Sequence, residues 1–421
     1  MYHCWRNNEP ITKKNESKEH IIPNALCGKR KPKTLLCDTC NNELHFLDRR
    51  LSEDLDFILA NLSCKRDSGS APPIIAVSSD GTEYKMKNGK AKLKDPVFPD
   101  SPTVAYVDGK KTEIYNIVAR SLDEAHAMVE GLKKKYPDKD FVVEMKKIEV
   151  YLDSLNTNSI ILSDESFRAI AKIAVNFYMW KVGKKGNIEG AIDYVNGLSK
   201  EEIVGIYYNE EAKNLKDCEI AHILYIKGDK EEKILYCYVS LFGAIDFIVL
   251  LNDDYNDENY EELYSLNVET RHEDITRFEL SLTNTQIKEI INDELPIEDL
   301  KRGLGKTNRI IEAKNVLNAV ADIITEHIAN NNLDTIAKLI NEWDNIKSKI
   351  DSYPHLATLH CPYQVEVRTQ PKLKCDCGLD QTVYMLVSLN ISGTVFLQIQ
   401  IYCNMCGKIF SSHEVKEHIT S

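Results

Sequence analysis

An acid and an imidazole stand side by side at Glu19-His20, followed by Ile21-Ile22-Pro23, and the thiol pair Cys37-Asp38-Thr39-Cys40 runs directly into Asn41. A neutral imidazole takes up a proton near pH 7, which makes His20 a candidate general base. Carboxylate and carboxamide oxygens are hard donors, so Glu19 and Asn41 suit Mg²⁺ or Mn²⁺. A base beside a divalent ion fits the hydrolysis of a phosphodiester. That reaction needs an activated water, a cation on the leaving oxygen and a geometry that keeps them in line. Neighbouring residues on a strand point to opposite faces, so the Glu19-His20 pair needs a bend, and Pro23 in the exit agrees with one.

Over about the first 50 residues this pattern resembles the HNH endonuclease family. The acid-His pair, the Ile-Ile-Pro exit, the CxxC and the following Asn carry the resemblance. It implies a ββα-metal head, a small β-hairpin packed on one helix around a single divalent ion. Glu19 and Asn41 would be its ligands and His20 the base. Two departures stand out. The family's middle Asn, three residues before the CxxC, is Thr34 here, so the brace that orients the base is missing. Relatives also tend to open with a complete CxxC, whereas Cys4 is followed three residues later by Asn7. A structural zinc would then rest on Cys4, Cys37 and Cys40, with Cys27 or His3 as the fourth ligand. Cys27 occupies a position where relatives often carry Gly. His45, one turn beyond Asn41, shares its helix face and could be an extra metal ligand, but reads first as a phosphate contact or plain surface. Beside such a site, the basic run of Lys29, Arg30, Lys31 and Lys33 is expected to track a phosphate backbone. The alternative is a zinc-dependent nucleic-acid-binding or protein-interaction adaptor without catalysis.

A second cysteine group lies near the other terminus. Cys375-x-Cys377 and Cys403-x-x-Cys406 bracket two expected strands, Thr382–Leu389 and Thr394–Tyr402, with Asn390-Ile391-Ser392-Gly393 as the turn. Gly378 and Gly407 follow the two pairs, where a knuckle turns sharply. The arrangement resembles a zinc ribbon with four thiolate ligands, which brings the expected structural Zn²⁺ to one or two.

The elements that must position these groups fit an α+β, multidomain chain of 421 residues. The expected divisions are an HNH head over 1–62, a small α+β domain over 74–160 and a second over 164–280. A helical hairpin over 281–355 and a zinc ribbon over 356–421 complete them. Asp80-Gly81 and Asn88-Gly89 signal hairpins, and Leu122–Tyr136 reads as a helix with acids in its first turn and lysines in its last. Val142–Leu152 reads as a strand. From Asp164 a helix buries Phe167, Ile170, Ala171, Ala174, Phe177 and Tyr178, while Arg168, Lys172 and Asn176 form a stripe that could line a site but is read first as solvated. Strands follow at Ile220–Lys227, Ile234–Leu241 and Ile245–Leu251. The apolar run Ile234–Leu251 contains Asp246 and Gly243 and is read as two buried strands rather than a membrane span.

A net charge of -12 argues against a nucleic-acid coat or a polybasic membrane protein. Residues 1–40 invert that balance. Arg6, Lys13, Lys14, Lys18, Lys29, Arg30, Lys31 and Lys33 face only Glu9, Glu16, Glu19 and Asp38. A basic head on an acidic body suits a protein whose head alone approaches phosphate. The polar N-terminus carries no export signal, and eight of the 12 cysteines sit in the two terminal clusters, so zinc in a reducing cytoplasm is expected over a disulfide framework. Together these expectations describe a cytoplasmic, metal-dependent HNH endonuclease acting on DNA. It would be the effector of a bacterial anti-phage or mobile-element system, with a regulatory protein as partner, no membrane, and self-association left open.

Overall fold

Helix α1, Asp38–Asp54, begins at the CxxC and buries Cys40, Leu44, Leu47 and Leu51 along one stripe, with Asp38 in the first turn where the helix dipole favours an acid. The computed structural model describes residues 2–311 apart from 63–65, 68, 70, 88–89, 100, 108–109, 146–154, 157–161, 214, 216–218, 274–277 and 294–295, and beyond 311 five strand segments. By its contacts the chain divides into two units. One comprises Met1–Ser52, Cys64–Gly69 and Leu162–Ser421, the other Glu53–Ser63 and Ser70–Ile161.

In the first unit, two irregular arms lead to α1. The β-hairpin expected for the head is reduced to isolated bridges, His3 with Pro10 and Glu16 with Cys37, and one bond from the Ile21 N–H to the Arg30 carbonyl at 3.0 Å. Pro10, Pro23 and Pro32 withhold the donors a regular ladder would need, and Asn24–Leu26 turns as a 3-10 helix between the arms. Gly28 closes this loop. A Cβ there would lie 1.8 Å from the Ile22 carbonyl oxygen, so no other residue fits without moving the arm that carries Glu19-His20. Trp5, Ile21, Ile22, Leu26, Leu35, Leu36, Leu44 and Leu47 are all buried and give the head its core.

The second unit contains α2 (Asp56–Asn61), a four-stranded antiparallel sheet and α3 (Leu122–Lys135). Its sheet runs β3-β2-β1-β6, from β1 (Ile74–Ser78), β2 (Glu83–Lys87), β3 (Lys90–Leu93) and β6 (Leu155–Asn156). β4 (Thr103–Val107) and β5 (Lys110–Ile114) form a separate hairpin. Both turn signals are met: β1 and β2 pair around Asp80-Gly81, and Lys87 faces Lys90 across Asn88-Gly89. Ser121 caps α3 by accepting from the Glu124 N–H. Residues 142–145 are not a strand, and 146–152 lie outside the described residues.

Returning to the first unit, helix α4 (Asp164–Lys181), helix α5 (Glu189–Asn196) and a five-stranded antiparallel sheet form the body. The sheet order is β11-β8-β9-β10-β7, with β7 at Val204–Ile206, β8 at Ala221–Asp229, β9 at Ile234–Leu241, β10 at Ile245–Asn252 and β11 at Tyr260–Asn267. Helix α4 lies against one side of this sheet; Phe278, Leu280, Leu282 and two isoleucines of α7 (Asn284–Asn292) join a core cluster with Tyr225, Tyr236 and Ile248. The short helix α6 (Glu210–Lys213) precedes β8. A sheet covered in this way needs apolar residues on both faces, which is why Ile234–Leu251 has the hydropathy of a membrane span. No helix among the described residues is long and apolar enough to cross a membrane.

Five further strands form a sheet of their own order, β12-β14-β15-β16, with β13 on β14: β12 Cys361–Val367, β13 Lys372–Lys374, β14 Asp380–Ser392, β15 Thr394–Cys403 and β16 Ile409–Phe410. The β14–β15 hairpin matches the expected pair. Its ladder runs on to Ser392 opposite Thr394, because Ile391 continues the strand alternation into what the turn residues suggested was loop. The expected stripe from Ile310 to Ile324 continues past residue 311 and, with Leu333–Ile350, lies outside the described residues.

His222 on β8 ties the head to this body. It is fully buried, its Nε2 donates to the Leu26 carbonyl at 2.8 Å, and its Nδ1 accepts from the Phe242 N–H at 3.2 Å. Both roles require the neutral ring, and burial pushes the pKa down to about 4 from an ordinary 6.5. The unfolded chain therefore binds a proton that the folded chain refuses, and stability rises with pH across that window and falls on acidification through it. Between pH 6.5 and 5 this histidine should cost about 2 kcal/mol of stability. His222→Gln should flatten that part of the profile of denaturant midpoints against pH. An unchanged slope would remove His222 from the account.

Candidate metal and catalytic site

Cys4, Cys37 and Cys40 converge. Their sulfurs lie within 4.8 Å of one another, all buried, two of them delivered by the first turn of α1 and its preceding residue. Tetrahedral Zn²⁺ with bonds of about 2.3 Å holds thiolates at just under 4 Å from one another, so the trio fits a zinc. Burial opposes ionisation of Cys37, yet hydrogen bonds from the Cys40 amide and thiol, from Cys4 and from Asn7 hold it below the ordinary thiol value. Burial, with the neighbouring sulfurs, pushes Cys40 up to about 12. Three sulfurs sharing one pocket in this way favour a cation among them. Asn7, three residues after Cys4, donates its Nδ2 to Cys37 Sγ at 3.7 Å.

Cys27 does not join them. It sits at φ 67 beyond the 3-10 turn, a left-handed position that explains why glycine is at home there, and its sulfur is committed to a disulfide. His3 is exposed and outside the trio as well. The expectation of Cys27 or His3 as fourth ligand is therefore not met by the geometry, and a three-cysteine zinc would take a water in the fourth position.

A cleft of about 280 Å³ collects the other chemistry. Glu19, His20, Asn41, His45, Asp48 and Arg66 all line it. His45 thus belongs to the cleft wall rather than to plain surface. Asn41 donates Nδ2 to Ser17 Oγ, so its carbonyl oxygen is the amide atom that could meet a cation. Among the described residues the cysteine trio is the only set of His, Cys, Asp or Glu ligand atoms so closely gathered. An ion at the cleft would therefore rest on few protein oxygens and keep several waters, as Mg²⁺ commonly does.

His20 is mostly buried, and its Nε2 lies 3.3 Å from Asp67 Oδ2. Burial holds the imidazole below its ordinary pKa, with Asp67 pulling the other way. Asp67 is held in turn by Lys31 and by its own N–H, which donates to Asn24 Oδ1 at 2.9 Å. Sequence reasoning missed this acid. It lies downstream of the head helix, and nothing in its spacing announces a brace for the base that Thr34 cannot supply. Arg66 was missed for the same reason. Its Nε and Nη2 are buried without a hydrogen-bond partner, an arrangement that favours an anion in the cleft.

Two residues of the α4 stripe prove buried rather than solvated. Lys172 and Asn176 are each 1 % exposed. Lys172 Nζ lies 2.8 Å from Glu19 Oε1 and 2.9 Å from each Asp48 oxygen, and Asn176 Nδ2 donates to Glu19 Oε1 at 2.9 Å. The two carboxylates outweigh burial and keep Lys172 charged, while burial raises Glu19 against the pull of that ammonium. Arg168 donates to the Val195 carbonyl instead. The basic run is also engaged: Lys29 and Arg30 pair with Glu273, Lys31 with Asp67 and Lys33 with Glu16. These pairs are exposed or half-exposed and weakly held, each worth at most about 1 kcal/mol.

Three clustered thiols, with acid, imidazole and amide lining one cleft, give the head groups that could hold a metal ion. Residues 4–56 match the family model described as HNH endonuclease, and this segment is an HNH domain. No curated protein and no solved structure matches the chain. Of the second cysteine group, Cys403 ends β15, and Cys375, Cys377 and Cys406 lie outside the described residues.

Proposed function

We propose that the chain is a metal-dependent endonuclease that hydrolyses DNA phosphodiester bonds, with His20 as the base. The observation that carries this is one cleft lined by Glu19, His20 and Asn41 inside the HNH match. Mg²⁺ or Mn²⁺ would be held by Glu19 Oε2 and the Asn41 carbonyl oxygen, and when bound it supplies positive charge to the leaving oxygen. With Nε2–H directed at Asp67, His20 keeps Nδ1 as the proton acceptor for an attacking water. Arg66 would receive a phosphate oxygen, and Lys29, Arg30, Lys31 and Lys33 would exchange their surface acids for backbone phosphates. The tail cysteines Cys375, Cys377, Cys403 and Cys406 remain our proposed second zinc site, and an effector role in anti-phage or mobile-element systems rests on modular analogy.

One observation favours the competing adaptor reading: Glu19 Oε1 is already taken by Lys172. A plasmid assay separates the two. Purified full-length protein with Mg²⁺ or Mn²⁺ should convert supercoiled plasmid to nicked or linear product, and EDTA should stop it. Binding without conversion under every metal tested would leave the adaptor in possession.

A further inference from the structure

Glu19 is gripped from outside the HNH segment. Lys172 Nζ and Asn176 Nδ2, one turn apart on α4, both reach the same carboxylate oxygen, at 2.8 and 2.9 Å. Both donors on Oε1 stop the carboxylate from rotating and leave Oε2 as the oxygen without these partners. The same Asn176 Nδ2 lies 3.3 Å from the His20 carbonyl, so it also fixes the backbone of the base. Asn176 is itself oriented, because Trp5 Nε1 donates to its Oδ1 at 2.9 Å. Lys172 meanwhile holds both oxygens of Asp48 on α1, the helix that carries Asn41 and His45. One buried ammonium thereby ties the arm bearing the acid to the helix bearing the amide. Glu19 and Asp48 both line the cleft, so the clamp lies at the site and is not a remote staple.

We propose that Lys172 and Asn176 are positioning residues of the nuclease site, setting Glu19 as a metal ligand and His20 as the base, so that α4 is part of that site. The proposal rests on the nuclease reading above. The geometry means that the HNH segment does not hold its own acid in place.

The test is Mn²⁺ binding to full-length, zinc-loaded protein, followed by the loss of the free-ion signal in electron paramagnetic resonance. Wild type, Lys172→Met and Asn176→Ala are compared, with zinc content and thermal melts confirming the fold. Loss of an outer-shell partner commonly weakens metal affinity 10–100-fold, and that drop is expected for Lys172→Met, with a smaller one for Asn176→Ala. Asn176→Ala leaves the ion pair intact and carries the test if Lys172→Met fails to fold. Unchanged affinity in folded variants would make the clamp purely structural and overturn the proposal. Tighter binding would overturn it too, by showing that the ammonium competes with the ion. A wild type that binds Mn²⁺ and cuts DNA while its variants bind equally well sinks only this inference. A wild type that does neither sinks the nuclease reading first.

Discussion

Replacing His20 by alanine should abolish cleavage and leave folding and DNA binding close to wild type. The side chain's polar contact among the described residues is with Asp67, while the bond that anchors its backbone comes from Asn176 and survives the change. None of the three clustered cysteines is disturbed. Loss of a general base costs roughly 10²–10⁴-fold in rate, so single-turnover cleavage at matched protein and metal should fall by at least that much. Asp67→Ala should sit between the two, at about tenfold, because it removes one hydrogen bond that orients the ring and not the base itself. If the His20 variant cuts as fast as wild type, the site has been assigned to the wrong residues. If Asp67→Ala equals His20→Ala, the carboxylate is more than a brace.

The second large effect concerns the thiol trio. Cys40→Ser should remove about one zinc per chain by elemental analysis and collapse the head, with Trp5 moving from a fully buried environment to water. Small zinc domains draw about 10–16 kcal/mol of apparent binding free energy from the ion, comparable with the whole stability of an ordinary domain. Chelation should act in two stages. Mild EDTA strips the hard-ligand ion and stops cleavage first; only stronger chelation takes the thiolate-bound zinc and unfolds the head. Zinc-free, reduced protein that keeps a buried Trp5 would show that the trio is an ordinary core cluster. Cysteines pack well as small hydrophobes, so that outcome is physically available.

That Glu19, His20 and Asn41 line one cleft agrees with the pattern read along the chain, because adjacency and spacing along one helix survive translation into structure. The CxxC must present both sulfurs at the start of α1 whatever lies around it. The strands β8, β9 and β10 were legible for a similar reason: alternation and run length are local properties of a chain. The irregular arms of the head were not, because proline's missing donors act on a ladder whose other side is distant in sequence. Least legible was the stripe on α4. Helical spacing groups Arg168, Lys172 and Asn176 on one face, but spacing alone says nothing of what that face meets. The partner of Asn176 is Glu19, 157 positions away, and a lysine on a helix ordinarily belongs in water. Only the tertiary structure could reverse that, by offering two carboxylates to one buried ammonium. Asp67 follows the same rule. Which groups could do chemistry is written in the residue types and their spacing; which of them are held in place to do it follows from the packing of segments far apart in the chain.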